Sequence, residues 1–186
     1  MVNIIKNRVL ARILVVVLIF SCLANLFGCN DSGYKIFEQL KGIDHYSFEY
    51  PSGYKLALNH AYSAPQAVNG VRLVGKLADG SEIVLGVNIS NYSSEYTDVK
   101  QVVDRLLSVS GRELLERSSS FVSGEPCEIV TLYTETTSNL TSKFEKTALF
   151  SHNNRKWDFY VYSERDKSEQ VNATFEHLFN TFVLLS

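Results

Sequence analysis

The residues that could carry out catalysis or bind a metal are scattered along this sequence rather than grouped. The four histidines are widely separated, and no His-Glu-x-x-His spacing places two of them on one helical face. No Gly-x-Ser-x-Gly turn presents a serine as a nucleophile, and no glycine-rich loop is available to bind phosphate. We therefore predict no catalytic residue, no metal site and no cofactor, and we expect a protein without enzymatic activity.

Carboxylates are plentiful, but sequence spacing does not pair them. The chain has 20 Asp and Glu residues, so folding alone could assemble an acid–base pair. Glu125, Glu128, Glu145 and Asp158 lie in or near predicted strands, and we expect them to face solvent. A hydrolase is the third of three functional hypotheses, and it requires a buried carboxylate and a histidine in one cleft.

The N-terminal residues have the composition of a secretory signal. Lys6, Arg8 and Arg12 precede an apolar run over residues 13–20 that is shorter than the roughly 20 residues of a membrane span. Residues 26–29, Leu-Phe-Gly-Cys, resemble the lipobox of bacterial lipoproteins, which implies cleavage before Cys29 and lipid on its sulfur. Cys22 is the alternative lipidation site, although the polar residues after Cys29 favour Cys29. An uncleaved anchor and a plain secretory signal also remain open.

This interpretation sets the domain boundaries and the location. Residues 1–28 are a signal peptide, residues 29–43 a lipidated tether with a short lead-in, and residues 44–186 a single domain. We expect the protein on the outer face of the bacterial cytoplasmic membrane, held by its N-terminal lipid.

Charge and the remaining cysteine exclude other classes. Cleavage would remove three basic side chains and no acidic one, making the net charge of −2 still more negative, so nucleic-acid binding is not expected. Cys127 has no partner for a disulfide within the mature chain, and we expect it to be a small buried hydrophobe. Four Asn-x-Ser/Thr sites would matter only in a eukaryotic secreted protein, as glycosylation candidates: Asn88, Asn91, Asn139 and Asn172.

Hydrophobic periodicity predicts the elements that must position any site. Alternating apolar residues predict strands, and spacing near 3.6 predicts helices. The predicted strands cover 46–50, 54–58, 71–77, 83–89, 127–134, 144–151 and 156–163. The predicted helices cover 34–40, 99–115 and 166–182, with Gly111 as a point where the second helix could break or bend. Thr97 or Asp98 is expected to cap the second helix, and Asp166 or Ser168 the last. This order favours an α+β fold with a mainly antiparallel sheet and helices packed on it.

Two short motifs resemble a known family. Residues 46–54 read Tyr-x-Phe-x-Tyr-Pro-Ser-Gly-Tyr, and residues 124–127 read Gly-Glu-Pro-Cys. Both resemble motifs of PsbP-like domains, and the aromatic last strand and closing helix also fit. The resemblance implies an α-β-α sandwich that is often non-catalytic and acts on partner proteins at membranes.

The leading hypothesis is a membrane-anchored lipoprotein that acts as a non-enzymatic protein-interaction or assembly module. The alternative is a carrier that holds a small hydrophobic ligand or a metal between sheet and helix. Trp157, Tyr160, Tyr162 and Phe175 are the predicted ligand or partner surface. A cavity lined by Trp157, Tyr160 or Phe175 would favour the carrier, and a filled core with an exposed aromatic patch would favour the interaction module.

Overall fold

The computed structural model describes residues 33–40, 44–57, 67–92, 98–108, 111–135 and 142–185. Apart from Gly33, these residues belong to one compact unit, Tyr34–Ser186. Its strands are β1 (Tyr34–Gln39), β2 (Tyr46–Pro51), β3 (Lys55–Leu56), β4 (Ala67–Lys76), β5 (Glu82–Asn91), β6 (Arg112–Val122), β7 (Glu125–Thr134), β8 (Lys143–His152), β9 (Arg155–Glu164) and β10 (Val183–Leu184). Its helices are α1 (Val99–Leu107) and α2 (Ser168–Thr181).

The main sheet has seven antiparallel strands in the order β3-β4-β5-β9-β8-β7-β6. Its tight turns form where the sequence predicts them. Between β4 and β5, Gly80 adopts a φ of 87°, and the Asp79 carboxylate accepts a hydrogen bond from the backbone N–H of Ser81 at 3.0 Å. Between β8 and β9, Asn153 and Asn154 adopt φ values of 51° and 57°, which asparagine tolerates better than most residues.

One face of this sheet forms an aromatic core under α2. Trp157, Phe159 and Val161 alternate onto this face as predicted and are fully buried. Helix α2 presents Val171, Phe175 and Leu178 to them, also fully buried. A second, three-stranded sheet with the order β1-β2-β10 completes the core. Burial of each large side chain contributes roughly 1.5–3 kcal/mol, so this face supplies much of the hydrophobic stabilisation.

The opposite face is covered at one end by α1. Val103 of α1 packs against Val130, Leu132 and Leu149 in a second, smaller buried cluster. The helix begins at a cap that the sequence predicts, because the Asp98 carboxylate accepts from the backbone N–H of Gln101 at 2.8 Å. Helices on both faces of an antiparallel sheet confirm the predicted α+β sandwich.

Two predicted helices are wrong in part. The segment predicted as a helix over 34–40 is strand β1, which pairs along its length with β2. The helix predicted to reach residue 115 ends at Leu107, and Gly111 then turns the chain with a φ of 82°. Leu114 and Leu115 consequently lie in β6, where they are 43% and 48% exposed.

The last helix also begins differently from the prediction. A 3-10 turn, Arg165–Lys167, precedes α2, and Lys167 occupies the cap position without a side-chain hydrogen bond. Neither Asp166 nor Ser168 acts as the predicted N-cap. The predicted signal peptide, Cys22 and Cys29 lie outside the described residues. None of the described helices combines the length and the apolarity needed to cross a bilayer.

Candidate functional site

The four residues predicted as a ligand or partner surface lie on opposite faces of the main sheet. Trp157 and Phe175 are fully buried in the aromatic core, packed against other rings. Tyr160 and Tyr162 lie on the other face, where their rings stack with centroids 5.9 Å apart. The structure therefore does not bring the two pairs together, and it fills the space around Trp157 and Phe175 with side chains.

The face that carries Tyr162 opens into a polar groove of about 400 Å³. The Arg72 guanidinium donates to the Tyr162 hydroxyl oxygen at 2.9 Å, and the Lys143 ammonium lies 4.5 Å from the centre of the Tyr162 ring. Glu82 and Glu164 also line this groove. Two cations and two carboxylates give it mixed charge, so its electrostatics select neither an anion nor a cation.

Two carboxylates on this face, Glu145 and Asp158, are partly buried, whereas the sequence prediction places them facing solvent. Burial, and then the nearby charge of Asp158, raises the pKa of Glu145 to about 7. Burial also raises the pKa of Asp158, although its carboxylate accepts a 2.6 Å hydrogen bond from the Thr147 hydroxyl.

These two carboxylates lie on the same face of the sheet, on the neighbouring strands β8 and β9. Glu145 lies opposite Tyr162 in the register of β8 with β9, whereas Asp158 lies opposite Leu149. Four register positions separate the two residues along the strands, but Asp158 accepts a hydrogen bond from Thr147, two residues from Glu145, and its charge contributes to the raised pKa of Glu145.

Two of the described histidines, His152 and His177, contact carboxylates elsewhere in the structure. His152 is 2.8 Å from a carboxylate oxygen of Glu125, and His177 is 3.1 Å from one of Glu49. No group of three or more His, Cys, Asp or Glu suited to a metal occurs among the described residues. Cys127 is buried as expected, and burial raises the pKa of its thiol to about 11, which keeps it protonated and unreactive.

The feature best suited to bind another protein is the edge strand β6. It is the last strand of the main sheet, has 11 residues and is exposed over most of its length. No described strand pairs with its outer edge. The other edge strand, β3, has only two residues. Long, exposed edge strands present unpaired backbone groups that other chains can pair with.

The turn after β6 determines which backbone groups point outward. Ser123 and Gly124 form a two-residue turn with φ values of 49° and 87°, as a type I′ hairpin requires. The closing pair, Val122 and Glu125, is then hydrogen-bonded, and alternate residues turn their N–H and C=O away from β7. The next pair, Phe121 with Pro126, is non-hydrogen-bonded, which fits Pro126 because it has no N–H to donate.

An apolar groove adjoins the C-terminal half of β6. It has a volume of about 410 Å³ and lies beside Ser119, Ser120 and Phe121, with Val99 at the start of α1 and Pro126 of β7 also lining it. Phe121 is 70% exposed, the largest exposed fraction among the large hydrophobic residues described. We define the β6 surface as residues 112–122 together with this groove.

Charge on the β6 surface is unevenly compensated. The Arg117 guanidinium donates to Glu128 at 2.8 Å and to Asp104 at 3.1 Å. Glu113 and Glu116 are exposed, and neither forms an ion pair with another described residue. The strand therefore presents two carboxylates outside ion pairs; of its two arginines, Arg117 is paired with carboxylates and Arg112 donates to the backbone carbonyl oxygen of Leu106.

The helix predicted over residues 99–115 conceals this surface, because it includes Leu114 and Leu115. One signal could have found it. Residues 116–122 read Glu-Arg-Ser-Ser-Ser-Phe-Val and lead into Ser-Gly, a pair suited to a tight hairpin turn before the predicted strand at Cys127.

Comparison with known proteins identifies the fold. Neither a protein-family model nor a curated protein matches the sequence. The solution structure of cyanobacterial PsbP from Synechocystis sp. PCC 6803 is similar, with a TM-score of 0.61, 17% identity, and coverage of 85% of this chain and 96% of that one. LpqN, involved in cell envelope biogenesis of Mycobacterium tuberculosis, gives a TM-score of 0.56 and 10% identity over 84% of this chain and 94% of its own.

A third similar structure is PA94 from Pseudomonas aeruginosa, a protein of unknown function and putative regulator. Its TM-score is 0.50 and its identity 9%, with coverage of 77% of this chain and 91% of that one. At these identities the likeness establishes the fold. The chain has the PsbP-like fold that its sequence motifs implied.

Proposed function

We propose that this protein is a lipid-anchored, non-enzymatic module of the bacterial cell envelope that binds a partner protein through the β6 surface. The observation that carries the proposal is the 11-residue edge strand with its exposed apolar side chains, Leu114, Leu115 and Phe121. An exposed edge strand that combines unpaired backbone groups with exposed apolar side chains is typical of protein-interaction sites.

The N-terminal sequence and the fold support the location. Basic residues, an apolar run and a Leu-Phe-Gly-Cys segment precede the folded unit. One protein of the same fold, LpqN, is involved in cell envelope biogenesis. A lipidated Cys29 would anchor the chain to the membrane, where envelope proteins are available as partners.

The carrier hypothesis has less support from the described residues. A hydrophobic ligand between sheet and helix needs space around Trp157 and Phe175, but both side chains are fully buried among other rings. A metal carrier needs a ligand cluster, and the described residues supply none.

Site-specific photo-crosslinking in the native host tests the proposed function. A photoreactive phenylalanine analogue replaces Leu114 or Phe121, and Ile36 serves as a matched control because it is an exposed apolar residue of β1, outside the β6 surface. We expect a crosslinked partner from positions 114 and 121 but not from position 36. Crosslinks from position 36 alone, or none from a folded protein, would contradict the proposal.

The anchor is tested on the same cells. We expect the protein in the membrane fraction, Cys29→Ser to release it, and Cys22→Ser to leave it membrane-bound. Mass spectrometry should find a chain that begins at a diacylglyceryl-modified Cys29. An unmodified soluble product, or an intact leader, would contradict the anchor but not the β6 surface.

A further inference from the structure

The outward-facing backbone groups of β6 are concentrated in its C-terminal half. The closing pair Val122–Glu125 is hydrogen-bonded, and hydrogen-bonded and non-hydrogen-bonded pairs alternate along the strand. The N–H and C=O groups that point away from β7 therefore belong to Phe121, Ser119 and Arg117. No described strand accepts from or donates to this edge. These three residues therefore present a regular set of donors and acceptors at the spacing that an added strand would use.

The N-terminal half of β6 is less suited to pairing. The register with β7 shifts between Leu114 and Glu116, which marks a β-bulge at Leu115. Bulges and charged side chains are common devices that discourage pairing at an edge, and this half also carries Glu113 and Glu116. The half that follows is free of register shifts and has no charged residue after Arg117, so it remains open to a partner.

The charge pattern disfavours pairing of two copies of this chain through the N-terminal half of β6. Residues 112–117 read Arg-Glu-Leu-Leu-Glu-Arg, which is symmetric about its two leucines. Antiparallel pairing of two copies centred there would set Glu113 opposite Glu116 and Arg112 opposite Arg117. Like charges directly opposite each other destabilise a strand pair.

We propose that the β6 surface binds an extended segment of a partner protein, which adds to the main sheet as an eighth strand along residues 117–122. The segment carries a basic side chain near Glu116 and an apolar side chain that enters the groove beside Phe121. The unpaired backbone groups supply most of the affinity, and the groove and the carboxylates supply the selectivity. This inference rests on the proposed function, because it specifies the partner of the same surface.

The backbone part of the inference is tested with two fluorescent octapeptides of alternating Val and Thr. Each carries one Phe and one Lys, at opposite ends in the two peptides, so that both strand directions are sampled. We expect one peptide to bind the full chain in detergent micelles and to slow amide hydrogen exchange across residues 117–122. Ser119→Pro removes an outward-facing N–H and should weaken binding at least about tenfold, the effect of losing one well-made hydrogen bond.

Ser119→Ala is the matched control for that substitution. It retains the N–H and loses the same hydroxyl contact, a 2.8 Å hydrogen bond to Glu128, so it should bind within about twofold of the wild-type chain. Equal affinity of the proline and alanine variants would overturn strand addition. Two results on the wild-type chain alone would also overturn strand addition, whether or not the proline variant folds. These are failure of both peptides to bind, and slowed amide exchange at residues other than 117–122.

The side-chain part is tested by three further variants. Phe121→Ser should weaken binding at least about tenfold, whereas Ile36→Ser, which removes an equally exposed apolar side chain elsewhere, should not. Glu116→Lys should weaken binding of the Lys-bearing peptide, and added salt should reduce the difference. Wild-type affinity for Phe121→Ser or Glu116→Lys would contradict the assigned partner chemistry.

Two results separate this inference from the proposed function. Crosslinking from positions 114 and 121 without peptide binding would mean that a partner docks there by another mode, so strand addition fails while the proposed function stands. A crosslinked product of two copies of this chain, matched by a dimer in light scattering, would overturn the inference by naming a different occupant.

Discussion

Among single residues outside the β6 surface, Glu145 has the clearest effect on how the stability of the fold depends on pH. Its side chain lies partly buried on the face of the sheet opposite the aromatic core, and its pKa is raised from 4.5 to about 7. In the unfolded chain this carboxyl loses its proton near pH 4.5, but in the folded chain it retains the proton until about pH 7. The folded state therefore binds more protons between these values, and the stability contributed by Glu145 is lost as the pH rises through that window.

Replacing this carboxyl by a neutral amide should remove that loss. We expect Glu145→Gln to differ little in stability from the wild-type chain near pH 5 and to gain on the order of 2 kcal/mol relative to it near pH 8. Urea denaturation at the two pH values measures the difference. Glu113→Gln, an exposed carboxylate of β6, is the control and should show no such gain. An equal pH response of wild type and Glu145→Gln would contradict the assignment.

At the scale of elements, the sequence predicts those strands and helices whose periodicity and burial agree. Trp157, Phe159 and Val161 alternate in the sequence and alternate in β9, because the inward face is covered by α2. Asp98 caps α1 as its position before an apolar helical pattern indicates.

The errors occur where local pattern and tertiary pairing disagree. The residues of β1 are compatible with either a helix or a strand, and pairing with β2 decides, which no local pattern reveals. Leu114 and Leu115 continue the helical spacing of Leu107, but Gly111 breaks the helix and both leucines are exposed. The same helical spacing includes the first residues of β6, so the main local signal for this strand is the Ser-Gly turn that follows Val122.

The close approach of β4, β5 and β9 gives an element-scale prediction at Gly86. A Cβ atom there would lie 2.6 Å from the Tyr160 hydroxyl oxygen and 2.7 Å from the backbone carbonyl oxygen of Val71. The carbonyl belongs to a paired strand and cannot move without distorting the sheet. Gly86→Ala should therefore destabilise the protein by about 1–3 kcal/mol, measured by urea denaturation.

Gly53 provides the control for that substitution. It lies in the turn after β2, and no atom lies within 4 Å of a Cβ built on it. Gly53→Ala should change the free energy of unfolding by less than about 1 kcal/mol. If both alanine variants were equally stable, the three strands would have to be further apart than described.

At the scale of the whole unit, one buried ion pair joins the small sheet to the main sheet. Asp44 precedes β2 and is only 3% exposed, and its carboxylate accepts a hydrogen bond from the Arg155 guanidinium at the start of β9. The next residue, His45, accepts a backbone hydrogen bond from Leu185 at 3.0 Å. The C-terminal end of the described chain therefore lies beside this ion pair.

Removing one member of the Asp44–Arg155 ion pair should destabilise the small sheet more than the rest of the molecule. Removing one member of a buried ion pair leaves the other charged and without compensation, so Asp44→Ala should destabilise the protein by roughly 3–5 kcal/mol. Glu176→Ala breaks an ion pair with Lys146 in which the carboxylate is mostly exposed, and it should cost less than about 1 kcal/mol.

Hydrogen exchange locates where that destabilisation acts. Because Asp44 ties β2 to the main sheet while β7 and β8 lie between other strands, Asp44→Ala should accelerate amide exchange most in β1, β2 and β10. Asp44→Ala combined with Arg155→Ala should be less destabilising than the sum of the two single changes, since neither charge is then left buried alone. Uniform acceleration across both sheets would mean that the two sheets unfold as one cooperative unit, and that this ion pair does not govern their association.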